Sequence, residues 1–234
     1  MLFLAVGIGF VPLLRWKKTN FDHLLSALKA LLPATLVLTF LIAYLIDFKS
    51  TAVVLCCGLG CWILVNHFGD ALSRFRDKGF FSRSYFGMSF AHIGFAITIV
   101  GVACTTVFSV EEDVRMEPGD TQIIGPLKVS FVGVSDLPGP NYIAKRGIFD
   151  IERNGEFMHR LLPEKRTYSG GKVMTEAGIE AGFWADTYIS MGEPLTEDAW
   201  AVRLHYKPLV RWIWFGGILM ALGGILSAIR LGSS

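Results

Sequence analysis

A run of residues without any charge extends from Tyr85 to Phe108 and contains one histidine, His92. As an α-helix rising about 1.5 Å per residue, a run of this length crosses the roughly 30 Å hydrocarbon core of a bilayer. Small residues recur along it at alternating spacings of four and three, on one helix face: Gly87, Ala91, Gly94, Thr98, Gly101 and Thr105. This spacing predicts that a second helix packs closely against that face.

His92 flanks the small-residue face and is the first candidate functional residue. An imidazole is uncommon in a membrane helix, where it usually points into a helix bundle, a cavity or a cofactor. Residue type alone leaves two interpretations open: His92 is a ligand, or it hydrogen-bonds a neighbouring helix.

The composition agrees with a membrane protein. Hydrophobic residues make up 52% of the 234 residues and charged residues only 18%. A net charge of +2 does not indicate a nucleic-acid partner. The four cysteines lie in apolar stretches without a CxxC or CxxCH motif, as small packing residues do: Cys56, Cys57, Cys61 and Cys104.

The apolar segments predict a polytopic α-helical membrane protein with an inserted β-rich domain. Residues 1–108 are expected to form membrane helices, with a partial span over about 1–14 and full spans over 30–46, 51–68 and 85–108. A short amphipathic linker helix is expected over 20–29. Residues 208–230 are expected to form a C-terminal transmembrane helix with its own small-residue face, at Gly217, Ala221, Gly224 and Ala228. Because the first apolar run is too short to span, we expect it to be the second half of a helix, and the chain to be the C-terminal piece of a longer protein.

Positive charges indicate the orientation of these spans. If the spans alternate, the following residues fall on one side: Arg15, Lys17, Lys18, Arg74, Arg76, Lys78, Arg83 and Arg230. The positive-inside rule makes that side, and the C-terminus, cytoplasmic. Residues 109–207 then face outward, which is the periplasm in a Gram-negative bacterium.

The segment 109–207 has the pattern of a β-rich domain. Leu127, Val129 and Phe131 alternate with polar residues, and Asn154-Gly155 separates two further strand patterns. Asn-Gly is a strong hairpin signal because both residues tolerate positive φ. Alternation at Trp200, Val202, Leu204 and Tyr206 predicts a last strand that leads into the final helix.

Other candidate sites in the sequence have plain structural interpretations. The run Glu111-Glu112-Asp113 is acidic enough for a cation, but a solvated surface run is the favoured interpretation. Arg211 lies in an aromatic stretch and fits an aromatic belt better than a site for a haem propionate or lipid phosphate. The remaining histidines have no partner at metal spacing and are interpreted as surface or interface residues: His23, His67, His159 and His205. No catalytic residue is predicted.

Stretches spread along the chain resemble the C-terminal region of CcmF, the large membrane subunit of the bacterial cytochrome c maturation system. They are Ser84–Met88 with Ala91-His92, Val110–Met116, Gly139–Tyr142, Glu164–Arg166, Met174–Ala177, Gly192-Glu193, Ala199–Leu204, Lys207-Pro208, Val210–Trp214 and Met220–Gly224. NrfE, the haem lyase paralogue dedicated to nitrite reductase, shares much of this pattern and remains an alternative.

The resemblance implies part of a holocytochrome c synthase (haem lyase), which attaches haem to CxxCH motifs of apocytochromes c in the periplasm. His92 matches the second of two family histidines that hold a membrane-embedded b-type haem (haem b), which is reduced by quinol. A neutral imidazole suits this role, and its other nitrogen needs an acceptor. The family's first membrane histidine, its tryptophan-rich segment and the two histidines flanking that segment are absent here. The chain is therefore expected to be inactive alone.

The implied partners are the upstream N-terminal part of the lyase, haem-chaperone and apocytochrome-handling subunits, apocytochrome c and membrane lipid. The implied location is the bacterial cytoplasmic (inner) membrane. Two other classes of function compete with the lyase. A non-catalytic membrane scaffold needs no imidazole at His92. A small transporter is disfavoured, because no predicted span holds a charge and no inverted repeat is visible.

Overall fold

The computed structural model describes residues 2–14, 21–45, 50–76 and 82–229, in two compact units. A helical unit contains Met1–Val107 and Val210–Ser234, and a β unit contains Phe108–Leu209. The side chain of His23 and five of the basic residues that indicate the orientation lie outside the described residues: Arg15, Lys17, Lys18, Lys78 and Arg230.

The helical unit confirms the predicted class of a polytopic membrane protein. Its helices are α1 (Leu2–Phe10, followed by a 3₁₀ turn over Val11–Leu13), α2 (Phe21–Leu45), α3 (Thr51–Arg76), α4 (Arg83–Phe108) and α5 (Val210–Ala228). Within the described residues, four stretches are long and apolar enough to cross a membrane: Leu24–Leu45, Thr51–Arg76, Arg83–Phe108 and Val210–Ala228.

Two helices are longer than the sequence predicts. The linker helix and the second span form one helix, α2, which continues through Pro33. Membrane helices tolerate an internal proline because neighbouring groups satisfy the freed backbone. Helix α3 continues past the predicted end of its span at Phe68, so Asp70 and Arg74 are helical. Their side chains pair at 2.9 Å one turn apart, which favours the extra helical turns.

Helix α3 packs against α1, α2 and α4. The Trp62 indole donates to the carbonyl of Val6 in α1 at 3.1 Å. A Cβ added at Gly69 would lie 2.8 Å from Leu31 of α2, and one added at Gly60 would lie 2.8 Å from Val100 of α4. The two glycines therefore mark close approaches between helices.

The small-residue face of α4 packs against α5 as predicted. A Cβ added at Gly94 would lie 2.5 Å from the carbonyl oxygen of Gly216, and one added at Gly87 would lie 2.8 Å from that of Gly223. On α5, however, the predicted face is wrong. A Cβ added at Gly217 or Gly224 would meet nothing within 4 Å. The contacts with α4 come instead from Gly216, Met220, Gly223 and Ser227. Because small residues occur there as adjacent pairs, their spacing fits either face equally well.

The β unit consists of two antiparallel sheets. Its strands are β1 (Val110–Met116), β2 (Thr121–Ile124), β3 (Leu127–Pro138), β4 (Tyr142–Arg153), β5 (Glu156–Leu161), β6 (Glu164–Tyr168), β7 (Val173–Glu176), β8 (Gly178–Ala181), β9 (Ala185–Pro194) and β10 (Trp200–Pro208). The four-stranded sheet has the order β1-β10-β9-β8. The six-stranded sheet has the order β2-β3-β4-β6-β7, with β5 also paired to β4.

The alternating patterns correctly predicted the core of the β unit. Side chains from both sheets meet in one cluster, in which Leu127, Val129 and Phe131 face Ile189 and Leu204. The predicted hairpin is present, since Arg153 pairs with Glu156 across Asn154 (φ 53°) and Gly155 (φ 81°). Both turn residues occupy the left-handed region that this hairpin type requires.

Candidate functional site

His92 lies in the interface between α3 and α4, opposite a second histidine. His67 of α3 is only 4% exposed, and its Nε2 lies 3.0 Å from Nδ1 of His92. The two imidazole planes are at 89°, with ring centroids 5.0 Å apart. His67 was interpreted as a surface or interface residue; it is a buried interface residue, and its contact with His92 was not predicted. The sequence signal was available, because the argument applied to His92, an imidazole in an apolar helix, holds equally for His67.

The His67 ring is held at both of its nitrogens. Its Nδ1 donates a hydrogen bond to the carbonyl of Ile63, one turn earlier in α3, at 2.9 Å. Its Nε2 faces His92. Two contacts at opposite positions on a small ring leave it little freedom to rotate, so His67 presents a fixed nitrogen to α4.

More polar groups follow on the same two helix faces. His67 and Arg74 lie about two turns apart on α3, as do His92 and Tyr85 on the antiparallel α4. The Arg74 guanidinium stacks 4.5 Å above the Tyr85 ring and pairs with Asp70 at 2.9 Å. The interface between α3 and α4 is therefore polar along one stripe, in helices that are otherwise apolar.

An apolar cavity of about 740 Å³ adjoins this stripe in the helical unit. Most of its wall is aliphatic or aromatic, including Leu31, Leu64, Phe86 and Phe90. The wall is almost wholly apolar in surface, and the lining residues with polar side chains are His67, Tyr85 and Ser89. An apolar pocket with a few convergent polar groups is the usual form of a small-molecule site.

The side chains at the histidine pair could serve a metal only if most of the metal's ligands came with it. Among the described residues, no group of three or more His, Cys, Asp or Glu side chains could hold a metal ion. Haem iron is bound in plane by its macrocycle and needs only axial ligands from the protein, for which an imidazole is common. Because Nδ1 of His92 contacts His67, Nε2 is the nitrogen available for such a ligand. The donor chemistry of His92 would therefore suit one ligand of a bound haem iron.

The acidic run of the β unit is paired across strands. Asp113 of β1 accepts two hydrogen bonds from the Arg203 guanidinium, at 2.6 and 2.9 Å. These bonds lower the pKa of the Asp113 carboxyl below its ordinary value. Glu112 accepts a hydrogen bond from Gln122 at 2.7 Å, and Glu111 lies 3.4 Å from Nδ1 of His205. The run contributes to strand pairing, in line with a structural interpretation.

A second ionic cluster in the β unit is centred on Glu164. Glu164, whose side chain is 8% exposed, accepts hydrogen bonds from Arg146 at 2.8 and 2.5 Å and from Arg166 at 2.8 Å. Burial alone raises the pKa of the Glu164 carboxyl, but these hydrogen bonds outweigh it and lower the pKa overall. Lys165 reaches from β6 to the other sheet, where it pairs with Glu193 at 2.6 Å. The Glu164 cluster therefore joins strands of one sheet, and Lys165 links that sheet to the other.

The other candidate residues belong to the β unit, to α5 and to other positions on α3 and α4. His159 and His205 belong to strands β5 and β10 of the β unit. Arg211 lies in the first turn of α5. The four cysteines, all in α3 and α4, are free thiols: Cys56, Cys57, Cys61 and Cys104.

Comparisons with known proteins agree on one family. The family described as the CcmF C-terminal beta-sandwich matches residues 107–208. The cytochrome c-type biogenesis protein CcmF of Pseudomonas aeruginosa is 43% identical over 236 residues, covering 98% of this chain and 35% of the relative. The cytochrome c-type biogenesis protein NrfE of Haemophilus influenzae is 41% identical over 149 residues, covering 63% of this chain and 24% of the relative.

A solved structure has the same fold. It is described as the cytochrome c haem lyase CcmF, and it superimposes with a TM-score of 0.76 at 20% identity. The match covers 98% of this chain and 38% of that one. Membrane helices with an inserted β-sandwich are therefore a shared architecture. The chain spans about a third of the length of the relatives it matches, 35% for the Pseudomonas aeruginosa protein.

Proposed function

Because this chain corresponds over nearly its whole length to the C-terminal region of CcmF proteins, we propose that it acts in cytochrome c-type biogenesis as part of a haem lyase. The lyase attaches haem covalently to the CxxCH motifs of apocytochromes c. This chain contributes His92 as one axial ligand of a membrane b-type haem. The observation that carries the proposal is the His92 imidazole, which is engaged at Nδ1 inside a membrane helix bundle.

The surroundings of His92 support an axial ligand better than a packing residue. A packing histidine needs only one hydrogen bond to a neighbouring helix, and His67 could be replaced there by any small acceptor. Here two imidazoles meet at 3.0 Å in an apolar bundle, and intramembrane ionisable residues usually mark functional sites. The second axial ligand comes from the upstream part of the lyase, which supplies the other family histidine.

The cavity beside the histidine pair supports a quinol site. When haem is bound, its iron accepts and passes on single electrons. The chain's own residues provide an apolar wall for a quinol ring, with the Tyr85 side chain at its edge. The cavity of about 740 Å³ lies within the range of roughly 300–1,000 Å³ common for small-molecule sites.

The charges of the described residues support a location in the bacterial inner membrane with the β unit in the periplasm. Arg74, Arg76 and Arg83 cluster between α3 and α4, at the end that the positive-inside rule makes cytoplasmic. The β unit, which follows α4, is then on the other side. There it would meet apocytochrome c and the haem-chaperone and apocytochrome-handling subunits.

The ligand assignment is tested by reconstitution. We expect the chain, co-expressed with the upstream part of Pseudomonas aeruginosa CcmF, to give a six-coordinate b-type haem spectrum after purification. His92→Ala should abolish or strongly weaken this spectrum while the protein still inserts, because it removes a bond to iron but little packing. His159→Ala and His205→Ala, in the β unit, are matched controls and should keep full haem content.

One outcome favours the non-catalytic scaffold instead. If the reconstituted His92→Ala protein keeps its haem content and an unchanged reduced spectrum, His92 is not a ligand. The NrfE alternative is tested by the cytochromes that are restored in a strain without its own lyase, when the chain is supplied together with the upstream part. An NrfE-type chain would restore only nitrite reductase, whereas a CcmF-type chain would restore c-type cytochromes generally.

A further inference from the structure

We propose that His67 is a positioning residue for the haem site: it fixes the tautomer and orientation of His92 so that Nε2 of His92 carries the lone pair offered to iron. This inference rests on the proposed function, which makes His92 a ligand. It concerns a residue that the family resemblance does not assign, and it follows from two distances in the helical unit.

The contact with Ile63 shows which nitrogen of His67 carries the proton. Its Nδ1 lies 2.9 Å from the carbonyl oxygen of Ile63. A carbonyl oxygen can only accept a hydrogen bond, so Nδ1 of His67 must carry the proton. A neutral imidazole has one protonated nitrogen, which leaves Nε2 of His67 as an acceptor.

The contact between the two histidines shows which nitrogen of His92 carries the proton. Nε2 of His67 and Nδ1 of His92 lie 3.0 Å apart, which is a hydrogen-bond distance. The alternative, a doubly protonated His67 that donates from both nitrogens, places a positive charge in an apolar bundle and is strongly disfavoured. His67 is therefore neutral, and Nδ1 of His92 donates to it. Nε2 of His92 then has no proton and keeps its lone pair.

The two hydrogen bonds run in one direction, from His92 to His67 and from His67 to the carbonyl of Ile63. Each acceptor fixes the ring that donates to it, and the last acceptor is a backbone carbonyl, which cannot become a donor. An acceptor behind a ligating histidine sets the tautomer, holds the ring and raises its basicity. His67 supplies this acceptor for the nitrogen of His92 that does not face the metal.

The same geometry excludes His67 as an axial ligand itself. Both of its nitrogens are used, Nδ1 by Ile63 and Nε2 by His92. Iron bound between the two imidazoles would need both facing nitrogens bare, which contradicts their contact at 3.0 Å. The histidine pair therefore provides one ligand and its support, and not a complete bis-histidine site.

A haem-free experiment tests the tautomers directly. The full chain, labelled with ¹⁵N-histidine and solubilised without haem, should show His92 protonated at Nδ1 and bare at Nε2, because bare and protonated ring nitrogens resonate in separate ranges. The His92 signals are assigned by their loss in His92→Ala. His67→Phe removes the acceptor and keeps a ring of similar size, so His92 should then become a mixture of tautomers. His67→Gln retains an acceptor and should restore the single tautomer.

A second readout uses the reconstituted protein. His67→Phe should weaken haem binding by about 10–100-fold, the usual effect of losing an acceptor behind a metal ligand. A less basic imidazole stabilises ferric iron less, so the midpoint potential should rise. A tenfold change in relative affinity for the two oxidation states corresponds to about 59 mV. His67→Gln should recover most of both changes, which a purely structural role would not predict. His159→Ala serves as control.

The outcomes separate the two proposals. If wild-type His92 is protonated at Nε2, or if its tautomer is unchanged in His67→Phe, the inference is wrong whether or not His92 binds haem. If the haem-free tautomers are as expected but His92→Ala keeps its haem, the proposed ligand fails and the positioning role fails with it. Tautomer change, weaker haem binding and rescue by glutamine together would support the inference.

Discussion

Gly94 offers a test of the interface between α4 and α5. A Cβ added there would lie 2.5 Å from the carbonyl oxygen of Gly216 and 2.9 Å from the backbone nitrogen of Met220. Both are backbone atoms, which cannot turn aside as a flexible side chain would. For the new methyl group to reach an ordinary contact distance of about 3.5 Å, the helices must separate locally by about 1 Å.

The expected magnitude follows from this separation. A gap of 0.5–1 Å forfeits about a quarter to a half of the dispersion energy of the atoms that it parts. Inserting a group into a well-packed contact typically destabilises by about 1–3 kcal/mol. Gly217, on the partner helix α5, is the matched control, because a Cβ added there would meet nothing within 4 Å. Replacing glycine by alanine in a helix gains up to about 1 kcal/mol at both positions, so this contribution cancels in their difference.

We therefore expect Gly94→Ala to be less stable than Gly217→Ala by about 1–3 kcal/mol. The free energy of unfolding is measured in mixed micelles by titration with a denaturing detergent, followed by far-ultraviolet circular dichroism. Gly217→Ala should be as stable as the wild type or slightly more so. Equal stability of the two variants would refute the close approach of α4 and α5.

Two further predictions concern the β unit and its location. Cysteine placed at Glu156 should react with a membrane-impermeant maleimide in intact cells, and cysteine at Arg76 only after permeabilisation; the reverse pattern would overturn the proposed topology. An excised fragment of residues 109–209 should melt cooperatively, and Glu164→Gln should lower its free energy of unfolding by about 1–3 kcal/mol because a buried, hydrogen-bonded carboxylate is lost. Asp136→Asn, in an exposed pair, should cost less than about 0.5 kcal/mol, and similar losses in both would count against the cluster. Folding lowers the pKa of Glu164, so its carboxylate stabilises the fragment fully above the unfolded pKa of about 4.3. This stabilisation is lost as the pH falls through the lower pKa of the folded state. Glu164→Gln should therefore reduce the pH dependence of the free energy of unfolding.

The sequence predicted those features that depend on one segment at a time. The period of the small residues identified the packing face of α4, because a helix repeats its geometry every turn. Alternation identified β3 and β10, and the two turn residues Asn154 and Gly155 identified the hairpin between β4 and β5. Each of these signals lies within a few residues of the element that it determines.

Features that depend on two segments were missed or misplaced. Predicting the contact between His67 and His92 requires knowing that α3 and α4 are neighbours and in which register they pack. The residue spacing within either helix does not contain this information. The face of α5 was wrong by one residue, because Gly216-Gly217 and Gly223-Gly224 offer two equivalent stripes. Only the backbone of α4 selects between them. The continuity of α2 was also missed, since the linker helix and the following span were expected as separate helices.

The two faces of α4 connect the packing test to the haem site. Ala91 contacts Gly223 of α5, and the adjacent His92 contacts α3, so one rigid helix carries both interfaces. The hydrogen bond between the histidines, 3.0 Å long, has about 0.5 Å to spare before it is lost. A local displacement of about 1 Å at Gly94, two residues along, exceeds this margin. Gly94→Ala should therefore reduce haem affinity and mix the His92 tautomers, whereas Gly217→Ala should change neither. If Gly94→Ala is destabilised yet keeps a single His92 tautomer, α4 does not transmit the displacement and the two faces act independently.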